Sequence, residues 1–345
     1  MKKLLSLLLA SAMLLTLVAC GSNTTNNQTG NNDTNNTGET NGGDTETTGW
    51  TPERDITLVN PYEAGGTSDI PSRIYASYIS ENMGGRLMNV NCITGAGGAL
   101  GAQEVMNSSP DGYTILVAPA GYAMNYAKGT LDWTYEAFDP ICLYVTSVLG
   151  IIVRADSEYE TYQDLVDAVK ANPGQINMGI ATSGLPQFSV YAMEGHEDMQ
   201  FNTVDIGGST VKATELLAGR VDVMIDSIGG VKSYIESGDF RLLAVFSDER
   251  IDTYPDVPTM AELGYTEDET SVMSQVFGIW APKGTPAEVI DYISDRFEEA
   301  ANAPEVADQL SAQDYAATYM DTEDYLVYLE SMYTSFVDFA ENYLG

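Results

Sequence analysis

The chain is 345 residues long, with 50 acidic against 15 basic residues and a formal net charge of −35. That balance argues against a nucleic-acid partner, whose phosphates need basic patches, and against docking on an anionic membrane surface. An anionic ligand is repelled at long range, so its attraction has to come from oriented groups acting at contact distance.

Residues 1–20 read MKKLLSLLLASAMLLTLVAC: two lysines, then an apolar stretch shorter than the ~20 residues that span a bilayer, which marks a secretory signal and not a lasting anchor. The ending LVAC resembles a bacterial lipobox, and the resemblance implies that Cys20 becomes the lipidated first residue of the mature chain. Residues 21–49 hold no large apolar side chain and cannot offset the entropy of ordering, so 21–50 is expected to be a disordered Asn/Thr/Gly-rich tether. Cys92 and Cys142 could form one disulfide in an oxidising compartment or remain two separate buried thiols; neither has metal-ligand spacing.

From residue 51 strands alternate with helices. DITLVNPY (55–62), LMNVNCI (87–93) and YTILVAP (113–119) predict three strands. Between them fall a helix with Ile70, Ile74, Tyr78 and Ile79 as its apolar face and a second helix through Ala102 and Met106. The apolar run 140–156 predicts a strand pair crossing between lobes. A second series follows: helix TYQDLVDAVKAN, strand QINMGIA, a helix over 186–194, strand FNTVDI, helix STVKATELLAG and strand VDVMIDS. Strands RLLAVFSDER and VFGIWAPKG then precede one helix over 285–310, with Thr285 as N-cap and Pro286 at its first position. An amphipathic C-terminal helix is expected on the outside. The pattern predicts an α/β fold of two lobes around a hinged cleft, with 51–150 and 246–345 in the first lobe and 151–245 in the second. His196, in EGHED, reads as a solvated loop residue.

Glycine-rich strand-to-helix junctions stand at AGGTSD (64–69), TGAGGALG (94–101) and GIATSGLP (179–186). The first N–H groups of a helix lack intrahelical partners and its dipole favours negative charge there, while glycine lets a ligand approach the backbone. Several such bonds, each about 1.5–3 kcal/mol to a charged group, could hold a carboxylate without a Lys or Arg. The alternative at each junction is an ordinary turn, with Thr67 or Ser68 as a helix cap and Asp69 in the first turn. GAGGALG also approaches a dinucleotide fingerprint, but Leu100 stands where that pattern requires a small residue.

PYEAGGTSD (61–69) resembles the opening signature of the solute-binding receptors of tripartite tricarboxylate transporters. GAGGALGAQEVMNSSPDGYTILVAPAG (95–121), LLAGRVDVMIDS (216–227), IESGDFRLLAVFSDER (235–250), YPDVPTMAELGY (254–265) and GIWAPKGTP (278–286) resemble that family's later blocks in the same order. The resemblance implies a type-two periplasmic-binding-protein fold that closes on a small organic carboxylate. It implies delivery to integral membrane permease subunits outside the cytoplasm, by a monomer touching the membrane only through its lipid anchor, with no cofactor. Carried over position by position, it assigns ligand contacts to Tyr62, Ala64, Gly65, Gly66, Thr67, Ser68 and Asp69, and to Thr182, Ser183 and Gly184 of the second lobe. Gly97 and Gly98 match a turn near the cleft floor, and Asp226 matches an acidic position after a strand. Leu185 and Phe188 replace a serine and a histidine, Ile206 a tyrosine, and Cys92 and Thr94 an asparagine and a proline. Either Leu185 and Phe188 make the second-lobe wall apolar, favouring one carboxylate on an apolar or aromatic body, or they point into the lobe core.

Two other classes compete with a transport receptor. A sensor would bind the same ligand and report to a membrane signalling partner without transport. A secreted hydrolase would need a base for Ser183 or Ser68, but His196 is the only histidine and ATSGL lacks the nucleophile-elbow pattern; no catalytic residue is assigned.

Overall fold

Two mixed sheets organise the chain. The computed structural model describes residues 49–181, 185–247, 249–266 and 275–344. The leader with Cys20, nearly all of the tether, and Thr182, Ser183 and Gly184 lie outside the described residues. The first sheet has the order β11-β4-β10-β3-β1-β2, built from β1 (Ile56–Asn60), β2 (Met88–Cys92), β3 (Thr114–Pro119), β4 (Phe138–Ser147), β10 (Gln275–Pro282) and β11 (Tyr315–Met320). β1 pairs in parallel with β2 and β3, whereas β10 runs antiparallel to β3 and β4. TILVAP is a nearly unbroken buried run because β3 lies inside the sheet and both its faces are covered.

The second sheet has the order β7-β6-β8-β5-β9, from β5 (Leu149–Arg154), β6 (Asn177–Ile180), β7 (Asn202–Asp205), β8 (Val223–Ser227) and β9 (Phe240–Phe246). The chain enters it through Val148, where β4 hands over directly to β5, so the run 140–156 is the expected crossing strand pair. It returns to the first sheet at β10, giving two lobes joined by two crossings.

Helices cover the sheets: α1 (Asp69–Glu81), α2 (Ala99–Met106), α3 (Gly121–Ala127), α4 (Tyr162–Ala171), α5 (Leu185–Glu197), α6 (Ser209–Leu217), α7 (Ile228–Glu236), α8 (Ala287–Ala301), α9 (Pro304–Ser311) and α10 (Thr322–Leu344). Thr161 and Asp164 form a reciprocal capping box that starts α4. On α1 the buried face is Tyr75, Ala76 and Ile79, while Ile70, Ile74 and Tyr78 are only partly covered, so the expected face is rotated toward the β4 side, where Tyr75 donates to Tyr144 O at 2.6 Å.

The single helix expected over 285–310 is two. Proline has no N–H to continue a helix, so Pro304 opens α9 at its first position instead of extending α8. Thr285 is not a cap, because its hydroxyl donates to Pro282 O at 2.7 Å and Pro286 takes the N-cap position. The helix α7 was not expected, since IGGVK carries two glycines in its first turn, the poorest helix formers after proline. Packing explains them: a Cβ at Gly229 would lie 2.3 Å from Gln313 O, and one at Gly230 2.7 Å from Thr67 Oγ1. First-lobe segments press that closely on α7. The C-terminal helix α10 packs on α3 and β4 and reaches α5, where Phe336 and Phe339 clasp Phe188. It is a tie between lobes rather than an outer decoration.

Cys92 and Cys142 are unpaired. They stand on β2 and β4, four inter-strand steps apart or roughly 19 Å, far beyond the ~7 Å Cα limit for a disulfide. Burial pushes the Cys142 thiol well above the usual range. A reducing agent is therefore expected to leave Tm unchanged, and non-reducing mass spectrometry to show both thiols free.

Candidate ligand-binding cleft

The end of β1 and the start of α1 form one lip of a cavity between the lobes. The Asn60 side chain fixes this lip: its Oδ1 accepts from Ser68 Oγ at 2.6 Å and its Nδ2 donates to Tyr62 O at 3.2 Å. Gly65 takes φ +75°, in the left-handed region that L side chains disfavour. Within the turn, Gly66 N donates to Glu63 O, and the N–H groups of Asp69 and Ile70 both donate to Gly66 O. The N–H groups of Thr67 and Ser68 have no acceptor among the described residues, as expected ahead of a helix.

The opposite lip comes from the second lobe. Lys212 N bonds back to Gly208 O, while the N–H groups of Ser209, Thr210 and Val211 have no backbone acceptor among the described residues. Between the lips, the centre of a water molecule can move through about 80 Å³, room for several waters or one small organic molecule. Tyr62, Glu63, Gly66, Thr67 and Ser68 line the first-lobe side, with Pro119 and Phe277 behind them. Leu149, Leu185 and Pro186 give the second-lobe wall an apolar stretch, beside Gly208, Ser209, Lys212 and Asp226.

A hydrogen-bonded seam joins the two sides. Ser209 Oγ donates to Asp226 Oδ1 at 2.7 Å, so its single hydrogen is spent and the Thr67 hydroxyl, 2.9 Å away, donates to Ser209 Oγ. Asp226 also accepts from Ser227 N at 2.8 Å. Its other oxygen meets the Lys212 ammonium at 3.0 Å, and that ammonium donates to Ile225 O at 2.8 Å. Both side chains are almost fully buried. A lysine thus stands in the wall beside the expected backbone donors, with its charge balanced by Asp226.

The structure brings Tyr62, Gly66, Thr67, Ser68 and Asp226 together on the cavity. Ala64 and Gly65 lie on the exposed outer side of the turn. Asp69 is buried behind it and serves as a brace, accepting from Gly65 N and Arg73 Nε, each at 2.8 Å, and from Cys92 Sγ at 3.4 Å. Gly97 and Gly98 stand one layer back: their carbonyls accept from Tyr62 and Tyr122, at 3.4 and 2.9 Å. Leu185 lines the cavity, whereas Phe188 is core, so the two alternatives for these residues each hold for one. Ile206 packs near Gly179 away from the cavity, and His196 lies in the last turn of α5, exposed, stacked on Tyr265. Gly208, Ser209 and Lys212 escaped the sequence reading although FNTVDIGGSTVK is a further glycine-rich strand-to-helix junction. Leu149 and Phe277 carry no local signal; only the fold brings them there.

Burial, with the Glu63 carboxylate adjacent, pushes the Tyr62 hydroxyl well above its ordinary pKa, so it remains a neutral donor. For Asp69 burial pulls upward, but the hydrogen bonds from Arg73, Gly65 and Cys92 outweigh it and hold the carboxyl below the usual range. A depressed folded-state pKa means the contribution is complete above the unfolded value near 4 and is lost as pH falls through the lower folded value. An Asp69→Asn variant is expected to show a flatter decline of Tm below about pH 4 than the parent. Identical acid limbs would show that the brace contributes nothing.

Among the described residues no group of three or more His, Cys, Asp or Glu side chains gathers as a metal site, and no helix is long and apolar enough to cross a membrane.

Two α/β lobes that exchange the chain twice and face each other with helix N-termini across a cavity define a periplasmic-binding-protein fold. BugD, a periplasmic binding protein, superposes with a TM-score of 0.78 at 27% identity, over 84% of this chain and 98% of BugD. An R. palustris protein solved with adipate gives 0.78 at 23%, over 84% and 97%. Among curated proteins, the UPF0065 protein in the gbd 5′ region of Cupriavidus necator is 32% identical over 282 residues, 79% of this chain and 83% of the relative. The model of the tripartite tricarboxylate transporter family receptor matches residues 72–334, and the chain belongs to that family.

Proposed function

We propose that this chain is a lipid-anchored extracytoplasmic receptor that captures a small organic acid and delivers it to the membrane subunits of a tripartite transporter. The observation that carries the reading is the pair of N–H groups on Thr67 and Ser68, without an acceptor among the described residues, at the α1 N-terminus beside the cavity. They offer a carboxylate two charge-assisted bonds that act only at contact, which suits a chain of net charge −35. The ligand body then lies along Leu149, Leu185, Pro186 and Phe277 and ends near the start of α6. The R. palustris protein solved with adipate shares the fold, and its ligand likewise carries a carboxylate on an apolar chain. In this structure Ser209 stands against Thr67 at 2.9 Å, and a ligand that bonds both lips would favour this arrangement by its higher affinity for it. Cys20 would carry the lipid and residues 21–50 would let the lobes reach the permease.

Calorimetry of the mature domain against organic, amino and aromatic acids, with native mass spectrometry for co-purified ligand, is expected to reveal at least one micromolar binder. Silence across the whole library would reject the receptor reading. Loss of uptake on deleting the gene, restored by the parent and not by Cys20→Ala, tests the anchor and the transport role.

A further inference from the structure

We infer that Glu63 makes this cleft select ligands bearing an ammonium group as well as a carboxylate, amino-acid-like zwitterions, over dicarboxylates; the inference rests on the carboxylate-receptor reading. Among the described residues, three charged side chains line the cavity: Glu63, Asp226 and Lys212. Lys212 and Asp226 cancel each other at 3.0 Å, and Asp226 is further held by Ser209 and Ser227. Glu63 has no hydrogen bond or ion pair from its carboxylate among the described residues, so the cavity keeps one uncompensated negative charge.

The position of that charge is set by the other lobe. Glu63 reaches across the cleft to Gly208, where an added Cβ would fall 2.3 Å from Oε2 and 3.2 Å from Cδ. Only a residue without a side chain leaves the carboxylate room there. Gly208 is the N-cap of α6, so Glu63 occupies the end of the cleft where a second ligand carboxylate would otherwise find helix N–H groups. A dicarboxylate with one end on Thr67 and Ser68 therefore brings its other charge against Glu63. An ammonium at that end instead meets an unpaired carboxylate in a partly desolvated site, where the attraction is stronger than in water.

The test compares amino acids with dicarboxylates of equal chain length: β-alanine with succinate, 4-aminobutyrate with glutarate, and 5-aminopentanoate with adipate. Calorimetry on the mature domain is expected to give the tightest binding with an amino acid, at least tenfold over its partner. Glu63→Gln is expected to cut that ratio by at least tenfold while Tm holds. Gly208→Ala, which displaces the Glu63 carboxylate, is expected to move the ratio the same way. A dicarboxylate as the tightest ligand, or a ratio unmoved by Glu63→Gln, overturns the inference and leaves the carboxylate-receptor reading standing. Failure of every acid and amino acid to bind overturns both.

Discussion

A Lys212→Met variant is expected to lose about 3–5 kcal/mol of folding stability, the range found when one partner of a buried ion pair is removed. Lys212 and Asp226 are 3% and 5% exposed at their side chains, so the stranded carboxylate has almost no water to turn to. Ser209 Oγ and Ser227 N both bond Oδ1, which leaves Oδ2 with the ammonium as its compensating charge. The aliphatic stem of methionine fills most of the lysine volume, so a cavity adds little. A Lys212→Met/Asp226→Asn double variant separates the causes: removing both charges is expected to recover most of the loss, since a buried pair often contributes little net stability over neutral groups. Urea denaturation of the three proteins measures it, through the midpoint at constant m-value. A single-variant loss below about 1 kcal/mol, or a double variant no better than the single, would show that the pair is well solvated.

The α/β alternation was legible because strands covered on both faces read as continuous apolar runs, as TILVAP does, with amphipathic stretches such as TYQDLVDAVKAN between them. The segments that escaped are those whose local preference contradicts their place. The α7 glycines are tolerated because Gln313 and Thr67 press on that helix, a tertiary reason with no local trace. The strand β11, YAATYM, is half-exposed and too weakly patterned to announce itself. At the cleft, residues of the β1–α1 turn were legible through their glycines, yet the turn does not say which of them point inward. Asp69 and Thr67 are two residues apart; one braces the turn from behind and the other faces the opposite lobe. The pairing of Thr67 with Ser209 spans 142 positions, and only the two crossings between sheets bring them together. Glu63 sits in the quoted signature with nothing in the sequence to mark it, because its meaning depends on the bare face of Gly208.

Replacing Thr67 with proline is expected to weaken binding of the tightest acid at least ~30-fold while leaving the far-ultraviolet spectrum unchanged. The N–H of Thr67 bonds to nothing among the described residues, so its loss removes no internal hydrogen bond. What disappears is one donor to the ligand carboxylate, about 1.5–3 kcal/mol, together with the hydroxyl contact to Ser209, about 0.5–1.5 kcal/mol. Thr67→Val divides these terms, because valine keeps the N–H and most of the volume but cannot donate to Ser209 Oγ. Valine is therefore expected to cost only about 2–10-fold, mainly through a less favourable closing step. Calorimetry gives both affinities, and small-angle scattering with and without ligand reads the closing step. If proline and valine weaken binding equally, the hydroxyl seam and not the α1 amides controls affinity. If proline binds like the parent, the carboxylate does not sit on α1, and attraction by unpaired peptide N–H groups gives way to the Lys212 ammonium as the source of the grip.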